Sequence, residues 1–366
     1  MVTVIKNKAN ILDGNEPKIR IEQVGFLYTY KCNLQCKHCC VSASPMRIEK
    51  LDSAAVSKII DEAAQLGIPH VSFSGGEPLL YFDEIMKHVQ QARGNGISSS
   101  LVTNGVWCNA KESTESKIRL LKDAGLTSLE ISYDNFHREA GAKVEHIKTI
   151  ITECKKQGIG VGVKRVKGPT KNKDRFIIEK ELRGFKEIGC EFQVVDLSPS
   201  GAASVNFSPT DYRYAKVPIE KITECEGIGT IVTYLANGTL MPCCADPLVD
   251  MDRDHDCTLL RLGNIYEDKL EVGIKRLKNN LYLSILAILG PIGFKLLAEE
   301  YPNHIAWPEV LRSTCDFCVF AAGSDEFGEW LSELEKNKTE VWSRLRECSE
   351  VLNRWGIAHN PHVVWM

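Results

Sequence analysis

Short apolar runs alternate with amphipathic segments along the first 200 residues of the chain. The run from Val24 to Tyr30 is typical of a buried strand, and the segment from Asp52 or Ser53 to Gly67 carries apolar residues at helical spacing. This succession of a strand and a helix recurs along the chain. Further strands are predicted at 70–74, 97–103, 127–133, 159–166 and 190–197, and further helices at 81–93, 111–124, 142–157 and 175–188. Strands separated by helices of this length pair in parallel, with right-handed crossovers. The pattern predicts an α/β fold, an open partial (β/α)6 barrel, with its chemistry at the carboxyl ends of the strands.

The pattern changes beyond residue 197. Residues 198–203 are typical of a linker or turn, and a β-hairpin is predicted at 231–243 around the turn at 236–238. The apolar segment 281–297 is broken by Gly290-Pro291 and is shorter than the roughly 20 residues of a spanning helix, so two buried helices meeting at a kink are expected. An amphipathic helical tail follows from about Asp325 to Arg354. The predicted units are a lead-in at 1–22, the barrel at 23–200, a second module at 201–322 and a tail at 323–366.

Composition narrows the functional classes. The chain has 366 residues, of which 43% are hydrophobic and 25% charged, as in an ordinary folded protein. Its formal net charge of −3 gives no reason to expect a nucleic-acid partner. The N-terminus is too polar for a signal peptide, so the fourteen cysteines indicate metal sites and buried thiols in a reducing cytoplasm. We therefore expect a cytoplasmic protein without membrane contact.

Three cysteines, Cys32, Cys36 and Cys39, follow the first predicted strand at a Cys-x3-Cys-x2-Cys spacing. A loop this tight can turn three thiolates toward one point. On a [4Fe–4S] cluster, three protein thiolates leave one iron open to a small molecule. The alternative is part of a zinc site, although a closed structural zinc site normally has four ligands.

The loop resembles the signature of the radical SAM (S-adenosylmethionine) enzymes, with His38 where the family usually carries an aromatic residue. The second strand ends in Gly75, Gly76, Glu77 and Pro78. This sequence resembles the family's GGEP motif, which holds the methionine moiety of SAM. Further polar residues end the next two strands, where the family places side chains near the SAM carboxylate and ribose: Asn104, Ser132 and Asp134. Turn capping is the alternative role for these three. His137 could be a proton donor, although a lone histidine usually is not.

Four later cysteines form a second set, Cys225, Cys243, Cys315 and Cys318. Four thiolates close a site completely, and both zinc and a [4Fe–4S] cluster accept them. The Asn237-Gly238 turn, Pro242-Cys243 and Gly263-Asn264-Ile265 resemble twitch, the shortened auxiliary-cluster module of radical SAM enzymes that modify peptides. The resemblance implies an auxiliary [4Fe–4S] cluster.

Two more cysteines, Cys244 and Cys257, belong to neither set. On an extended chain adjacent side chains point opposite ways, so Cys244 is expected to face away from a cluster held by Cys243. A thiol can give a hydrogen atom to a carbon radical, and the alternative is an inert buried cysteine. Cys108, Cys154, Cys190 and Cys348 are interpreted as buried or incidental thiols.

Several longer stretches of sequence resemble those of the radical SAM peptide epimerases of epipeptide biosynthesis, and they follow in the same order from about Leu27 to Ala322. The stretches are 36–45, 131–134, 201–203, 241–244 and 315–318. The resemblance implies that a 5′-deoxyadenosyl radical removes Hα from an L-residue of a ribosomal peptide. Cys244 then returns a hydrogen atom to the opposite face, and the auxiliary cluster re-reduces the thiyl. A flavodoxin or ferredoxin would deliver electrons.

Two other functions stay open at the level of sequence. One is a radical SAM maturase that forms a thioether or C–C cross-link in the peptide. The other belongs to a different class, a non-catalytic, metal-stabilised peptide-binding protein. The mass of the product would distinguish a cross-linking maturase from an epimerase. The iron and sulfide content would distinguish the non-catalytic peptide-binding protein from both enzymes.

Overall fold

The structure is a computed structural model. It describes residues 10–13, 16–17, 19–108, 111–168, 175–212, 217–219, 222, 225, 227–254, 259–354 and 363–364. Cys257 lies outside the described residues, and so does the side chain of Cys348.

The secondary structure is mixed. The described strands are β1 Asn10–Asp13, β2 Glu16–Pro17, β3 Gln23–Thr29, β4 His70–Gly75, β5 Ser98–Thr103, β6 Ser128–Ser132, β7 Gly160–Lys167, β8 Glu191–Asp196, β9 Val217–Pro218, β10 Ile231–Tyr234, β11 Thr239–Met241, β12 Gly263–Asn264, β13 Val310–Leu311 and β14 Val363–Val364. The described α-helices are α1 Ser53–Gln65, α2 Phe82–Gly94, α3 Lys111–Ala124, α4 Asn135–Glu139, α5 Val144–Lys156, α6 Arg175–Glu187, α7 Ala202–Asn206, α8 Leu248–Asp254, α9 Leu270–Asn279, α10 Leu281–Ile288, α11 Pro291–Ala298, α12 Thr314–Ala322, α13 Asp325–Lys336 and α14 Lys338–Arg354. Short 3-10 helices lie at Pro78–Tyr81 and Pro209–Asp211.

The central sheet confirms the predicted α/β partial barrel. Strands β3 to β8 pair in parallel in sequence order, with helices in the crossovers. The predicted hairpin is present as β10 and β11, and it continues this sheet because β10 pairs in parallel with β3. The sheet therefore has nine strands, in the order β12-β11-β10-β3-β4-β5-β6-β7-β8. The sequence did not predict this union of the hairpin with the barrel.

Strand alternation gives the sheet two different faces. One face is apolar and buried beneath the helices, and Phe26 stacks there between Phe73 and Tyr234, with ring centroids 5.5 and 5.8 Å away. The opposite, inner face is polar. Gln23 donates to Ser72 Oγ at 2.7 Å, and Lys164 pairs with Glu130 at 3.5 Å. Polar inner residues leave this face able to meet a polar ligand.

The apolar segment near residue 290 forms two interior helices, as predicted. All residues of α10 are buried, and α11 meets α10 at a bend of 111°. No single helix in the described part of the chain is long and apolar enough to cross a membrane, although this bent pair would meet the criterion together. Tyr282 and Phe294 pack with Phe317 of α12, at ring-centroid distances of 6.4 and 5.3 Å. This aromatic core fixes the helix that carries Cys315 and Cys318.

The remaining differences from the predictions are helices and small sheets that the sequence did not predict. The unpredicted helices are α4, α7, α8, α9 and α12, and β1 pairs with β2 and β14 in an unpredicted small sheet. The helical tail is present but divided, because α13 ends at Lys336 and α14 begins at Lys338.

Candidate functional site

The loop after β3 holds three cysteines in surroundings suited to thiolates bound to a metal. Cys32 and Cys36 are buried. Backbone N–H groups point at the sulfurs, with Leu34 N 3.4 Å from Cys32 Sγ and Ala43 N 3.3 Å from Cys39 Sγ. Burial raises the pKa of the Cys32 thiol to about 12, so a stable thiolate here needs a bound cation. N–H donors to cysteine sulfur are one means by which proteins tune iron–sulfur clusters, so the loop fits such a group.

Two glycines at the end of β4 allow the ends of β3 and β4 to approach closely. Gly75 has a φ of +123°, and a Cβ added there would lie 2.3 Å from Thr29 O. A Cβ on Gly76 would lie 2.2 Å from Lys31 O. The glycines were predicted to admit a ligand. The structure shows that they are needed first for packing against the strand that leads into the cysteine loop.

Glu77 and Asn104 connect the strand ends to the cysteine loop. The carboxyl of Glu77 is completely buried and accepts hydrogen bonds from Leu79 N, Thr103 Oγ1 and Asn104 N at 2.8–3.0 Å. Burial raises its pKa to about 7. Asn104 Nδ2 in turn lies 2.8 Å from Asn33 Oδ1 and 3.4 Å from Cys32 Sγ. Both side chains already bind protein groups, so they position the loop. Their contact with SAM remains a prediction.

Asp134 organises a second group of side chains beside the loop. It caps α4, and its carboxyl accepts from His137 N at 3.0 Å, His137 Nδ1 at 2.8 Å and Val166 N at 3.1 Å. His38 Nε2 lies 3.4 Å from the same carboxyl. Burial acts to raise the pKa of Asp134, but the two histidines outweigh it and hold the pKa well below its usual range.

His38 keeps one unused polar atom in this arrangement. Its ring stacks on Phe136 at 4.5 Å, while Nδ1 is buried and has no hydrogen-bond partner among the described residues. A buried polar atom without a partner is unfavourable, so a ligand that meets Nδ1 would be stabilised. This atom fits a bound cofactor beside the cysteine loop. Ser132 lies apart from this cluster, opposite Lys164 in the register of β6 and β7.

The second set of cysteines converges from three parts of the chain. Cys243 follows β11, Cys225 precedes β10, and Cys315 and Cys318 lie on α12. Burial raises the pKa of Cys243, and the nearby charges of Cys225 and Cys318 raise it further. Burial raises the pKa of Cys315 to about 12, with Cys225 again the next cause. The four cysteines therefore lie near enough to act on one another's pKa values, and their role as metal ligands stays a prediction.

The donor set of this second site bears on which metal group it fits. All four candidate ligands are thiols, and both a tetrahedral zinc ion and a [4Fe–4S] cluster accept four thiolates. The residues therefore fit either group.

Cys244 lies in a group of polar side chains that includes residues from the barrel. Cys243 is buried and Cys244 is exposed, in keeping with the predicted alternation. We define the Cys244 cluster as Cys40, Lys164, Ser198, Cys244 and Asp246. Desolvation raises the pKa of Cys244 and of Asp246, although both residues are exposed. The positive charge of Lys164 acts in the opposite direction and lowers both pKa values.

Four members of this cluster were not predicted from the sequence: Cys40, Lys164, Ser198 and Asp246. Cys40 directly follows the candidate ligand Cys39, and Lys164 is one of three charged residues of β7. Asp246 stands two residues beyond Cys244. Lys164 was the detectable signal, because a lysine on the inner face of a barrel strand needs a partner.

A cavity of about 820 Å3 lies away from these cysteines, beside the β10–β12 strands. Three of its four arginines pair with carboxylates of its own lining: Arg47 with Glu49 at 2.7 Å, Arg261 with Asp252 at 2.8 Å and Arg276 with Asp268 at 2.9 Å. It contains no cysteine and none of the residues of the Cys244 cluster. The compensated charges give it no role in the chemistry derived below.

Comparisons with known proteins identify the fold that carries the first site. Residues 26–178 match the family model of the Radical SAM superfamily. The chain is 24% identical over 292 residues to YydG of Bacillus subtilis strain 168, a "putative peptide biosynthesis protein", a match that covers 79% of this chain and 88% of YydG. It is 34% identical over 119 residues to the PqqA peptide cyclase of Gluconobacter oxydans strain 621H, covering 31% of this chain and 30% of the cyclase. Among solved structures it is similar to Streptococcus suis SuiB bound to the precursor peptide SuiA, at a TM-score of 0.49 and 16% identity over 68% of this chain and 63% of SuiB.

Proposed function

We propose that this chain, which contains a radical SAM domain at residues 26–178, is an enzyme that converts L- to D-residues in a ribosomally made peptide. The observation that carries the proposal is the position of Cys244. It is an exposed thiol next in sequence to the buried Cys243, among polar side chains from both the barrel and the later module. The similarity to YydG, a "putative peptide biosynthesis protein", supports a peptide substrate.

The radical SAM domain implies a [4Fe–4S] cluster and SAM, which together supply a 5′-deoxyadenosyl radical when bound. In the proposal Cys32, Cys36 and Cys39 hold the cluster. Seven residues are proposed to bind and orient SAM: His38, Gly75, Gly76, Glu77, Asn104, Ser132 and Asp134. The unpartnered Nδ1 of His38 supports this placement. The protein's own part is to orient the reactants and exclude water.

The proposal assigns Cys225, Cys243, Cys315 and Cys318 to an auxiliary [4Fe–4S] cluster. The convergence of these four cysteines supports it, because four thiolates close a site and leave no open position for substrate. A twitch-like module would then lie directly beside Cys244.

Cys244 is proposed to return the hydrogen atom to Cα on the face opposite the one that lost it. The S–H bond of Cys244 breaks and a C–H bond forms, which leaves sulfur with an unpaired electron. Desolvation raises the pKa of Cys244 and so favours the protonated thiol, the form that carries a transferable hydrogen atom. A flavodoxin or ferredoxin is the proposed class of electron donor.

The test uses reconstituted protein with SAM, a reductant and a candidate ribosomal precursor peptide. Thiol protons exchange with solvent, so turnover in D2O is expected to place one deuterium on Cα of a D-residue, a gain of about one mass unit. Cys244→Ala is expected to form 5′-deoxyadenosine with little D-residue, whereas Cys190→Ala, which removes a buried thiol elsewhere, is expected to behave as wild type.

Two results would contradict the proposal. If the Cys244→Ala variant still made labelled D-residue at the normal rate, this thiol would not be the hydrogen-atom donor. A product about two hydrogens lighter than the substrate would instead identify a cross-linking maturase.

A further inference from the structure

A short backbone segment packs directly on the cysteine loop. Gly201 is buried and has a φ of +58°, in the region that favours glycine. A Cβ added to it would lie 2.4 Å from Cys39 O and 2.3 Å from Cys40 O, so any other residue would displace the loop. The next residue, Ala202, donates its N–H to Cys39 O at 2.9 Å. We define residues 201–207, which include α7, as the bridge segment.

The end of the bridge segment makes two further contacts with the same loop. Asn206 Nδ2 donates to Lys37 O at 3.2 Å. Phe207 packs on Phe136 with ring centroids 5.5 Å apart, and Phe136 stacks on His38 at 4.5 Å. The bridge segment therefore contacts the loop at both of its ends, and the two are expected to move together.

A side chain of the later module binds the bridge segment. Gly201 N donates to Asp250 Oδ2 at 2.5 Å, a charge-assisted hydrogen bond between residues 49 positions apart in the chain. Asp250 belongs to α8 and its side chain is 20% exposed, while its other oxygen, Oδ1, lies 3.1 Å from Arg253 Nη2. A single glycine therefore contacts both the cysteine loop and the helix that follows Cys244.

The connection from Cys244 to Asp250 is short and ordered. Only five residues separate the two, and they contain a turn in which Leu248 N donates to Ala245 O at 3.3 Å. Leu248 is buried, which anchors this turn in the core. The position of the Cys244 thiol therefore depends on where α8 is held.

The proposed reaction is sensitive to that position. Reacting atoms must lie about 3–3.5 Å apart, and a misplacement of about 1 Å can slow a reaction about a hundredfold. In the proposed function Hα is removed beside the cysteine loop, whereas the returning hydrogen atom comes from Cys244. These two parts of the site belong to distant segments of the chain, so a contact that joins the segments affects how often removal is followed by return.

We propose that Asp250 is a positioning residue for the return of the hydrogen atom. By holding Gly201, it fixes the segment that carries Cys244 relative to the cysteine loop. This inference rests on the proposed function and adds a residue that acts through Gly201 rather than on the substrate. Loss of the Asp250 carboxylate frees α8 but leaves the hydrogen bond from Ala202 to Cys39 in place. Removal of Hα should therefore continue, while return of the hydrogen atom becomes inefficient.

The test compares reconstituted wild type with Asp250→Ala, using SAM, a reductant and a candidate ribosomal precursor peptide. We expect Asp250→Ala to keep wild-type iron and wild-type formation of 5′-deoxyadenosine, but to make about ten- to hundredfold less D-residue per 5′-deoxyadenosine. Asp250→Asn keeps an acceptor oxygen for Gly201 N, so it is expected to recover most of the yield. Gly201→Ala is expected to lose iron as well, because its Cβ meets the loop carbonyl groups.

A matched control and a second measurement separate positioning from a general loss of stability. Arg253→Gln removes the ion pair at Oδ1 and leaves the hydrogen bond at Oδ2, so its yield should match wild type within about threefold. Hydrogen–deuterium exchange of the reconstituted proteins reports on the contact without turnover. The Gly201 amide is expected to exchange about tenfold faster in Asp250→Ala than in wild type or Asp250→Asn.

Three outcomes would overturn the inference. The first is an unchanged exchange rate of the Gly201 amide in Asp250→Ala. The second is a fall in yield that Asp250→Asn shares in full and that follows lost iron or a lower Tm, which identifies a structural role. The third is a wild-type yield of D-residue in Asp250→Ala, which refutes this inference alone, whereas a wild type that forms no D-residue refutes the proposed function and this inference with it.

Discussion

The substitution Gly76→Ala tests how the end of β4 is built. An alanine Cβ at this position would lie 2.2 Å from Lys31 O and 2.7 Å from Lys31 C, both backbone atoms. To reach ordinary contact, the ends of β3 and β4 would have to separate by about 1 Å, as in an overpacked core. That movement strains two hydrogen bonds, from Gly76 N to Thr29 O at 2.6 Å and from Glu77 N to Lys31 O at 2.9 Å.

The expected cost follows from these contacts. Overpacking costs about 1–3 kcal/mol, and each weakened hydrogen bond adds about 1 kcal/mol or less. We therefore expect Gly76→Ala to lower the free energy of unfolding by about 2–4 kcal/mol. Glu77 would move with the strand end, and through Asn104 it would disturb Cys32, so iron retention should fall together with stability.

Urea denaturation of the apoprotein and iron content after reconstitution measure the two effects. Gly94→Ala is the matched control, because a Cβ there meets no atom within 4 Å. That substitution should be neutral or stabilising by up to about 1 kcal/mol, since it lowers the entropy of the unfolded chain. If Gly76→Ala unfolds at the same urea concentration as Gly94→Ala and holds wild-type iron, the close approach of β3 and β4 is not what requires the glycine.

Three further predictions concern single side chains. The carboxyl of Glu77 has its pKa raised to about 7, so the folded state binds more protons than the unfolded state between pH 4.5 and 7, and stability should fall by up to about 3 kcal/mol as pH rises through this window. Glu77→Gln should abolish that part of the pH dependence in apoprotein urea melts, and an unchanged profile would contradict the assignment. Cys315→Ala should lose iron, from about eight to nearer four per chain, and full iron with unchanged spectra would exclude this cysteine as a ligand. Phe317→Ala should cost about 3–5 kcal/mol in chemical denaturation because the ring is completely buried, whereas Val319→Ala, on the same helix but 38% exposed, should cost less than about 1 kcal/mol; equal costs would refute the packing argument.

The predictions that succeeded were those that depend on local physics. The spacing of apolar residues and the glycines that end each helix predicted the six strand–helix units, and α3 begins and ends at the predicted residues, Lys111 and Ala124. The loop cysteines are separated by only three and two intervening residues, so short-range geometry already placed them at one strand end. The turn at 236–238 likewise predicted a hairpin from neighbouring residues alone.

Tertiary structure decided which distant segments meet. Local alternation in β10 could not reveal that it pairs with β3, some 200 residues earlier in the chain, because strand pairing depends on contacts that periodicity does not encode. The same holds for Lys164 of β7, whose charge acts on Cys244 although the two residues lie 80 positions apart in the chain. At Gly76, the sequence predicted a glycine that admits a ligand, and only the folded chain showed that Lys31 O lies where a Cβ would be. The sequence by itself determined the strands and helices of the barrel and the spacing of its cysteines, whereas long-range packing decided which of these distant segments lie together.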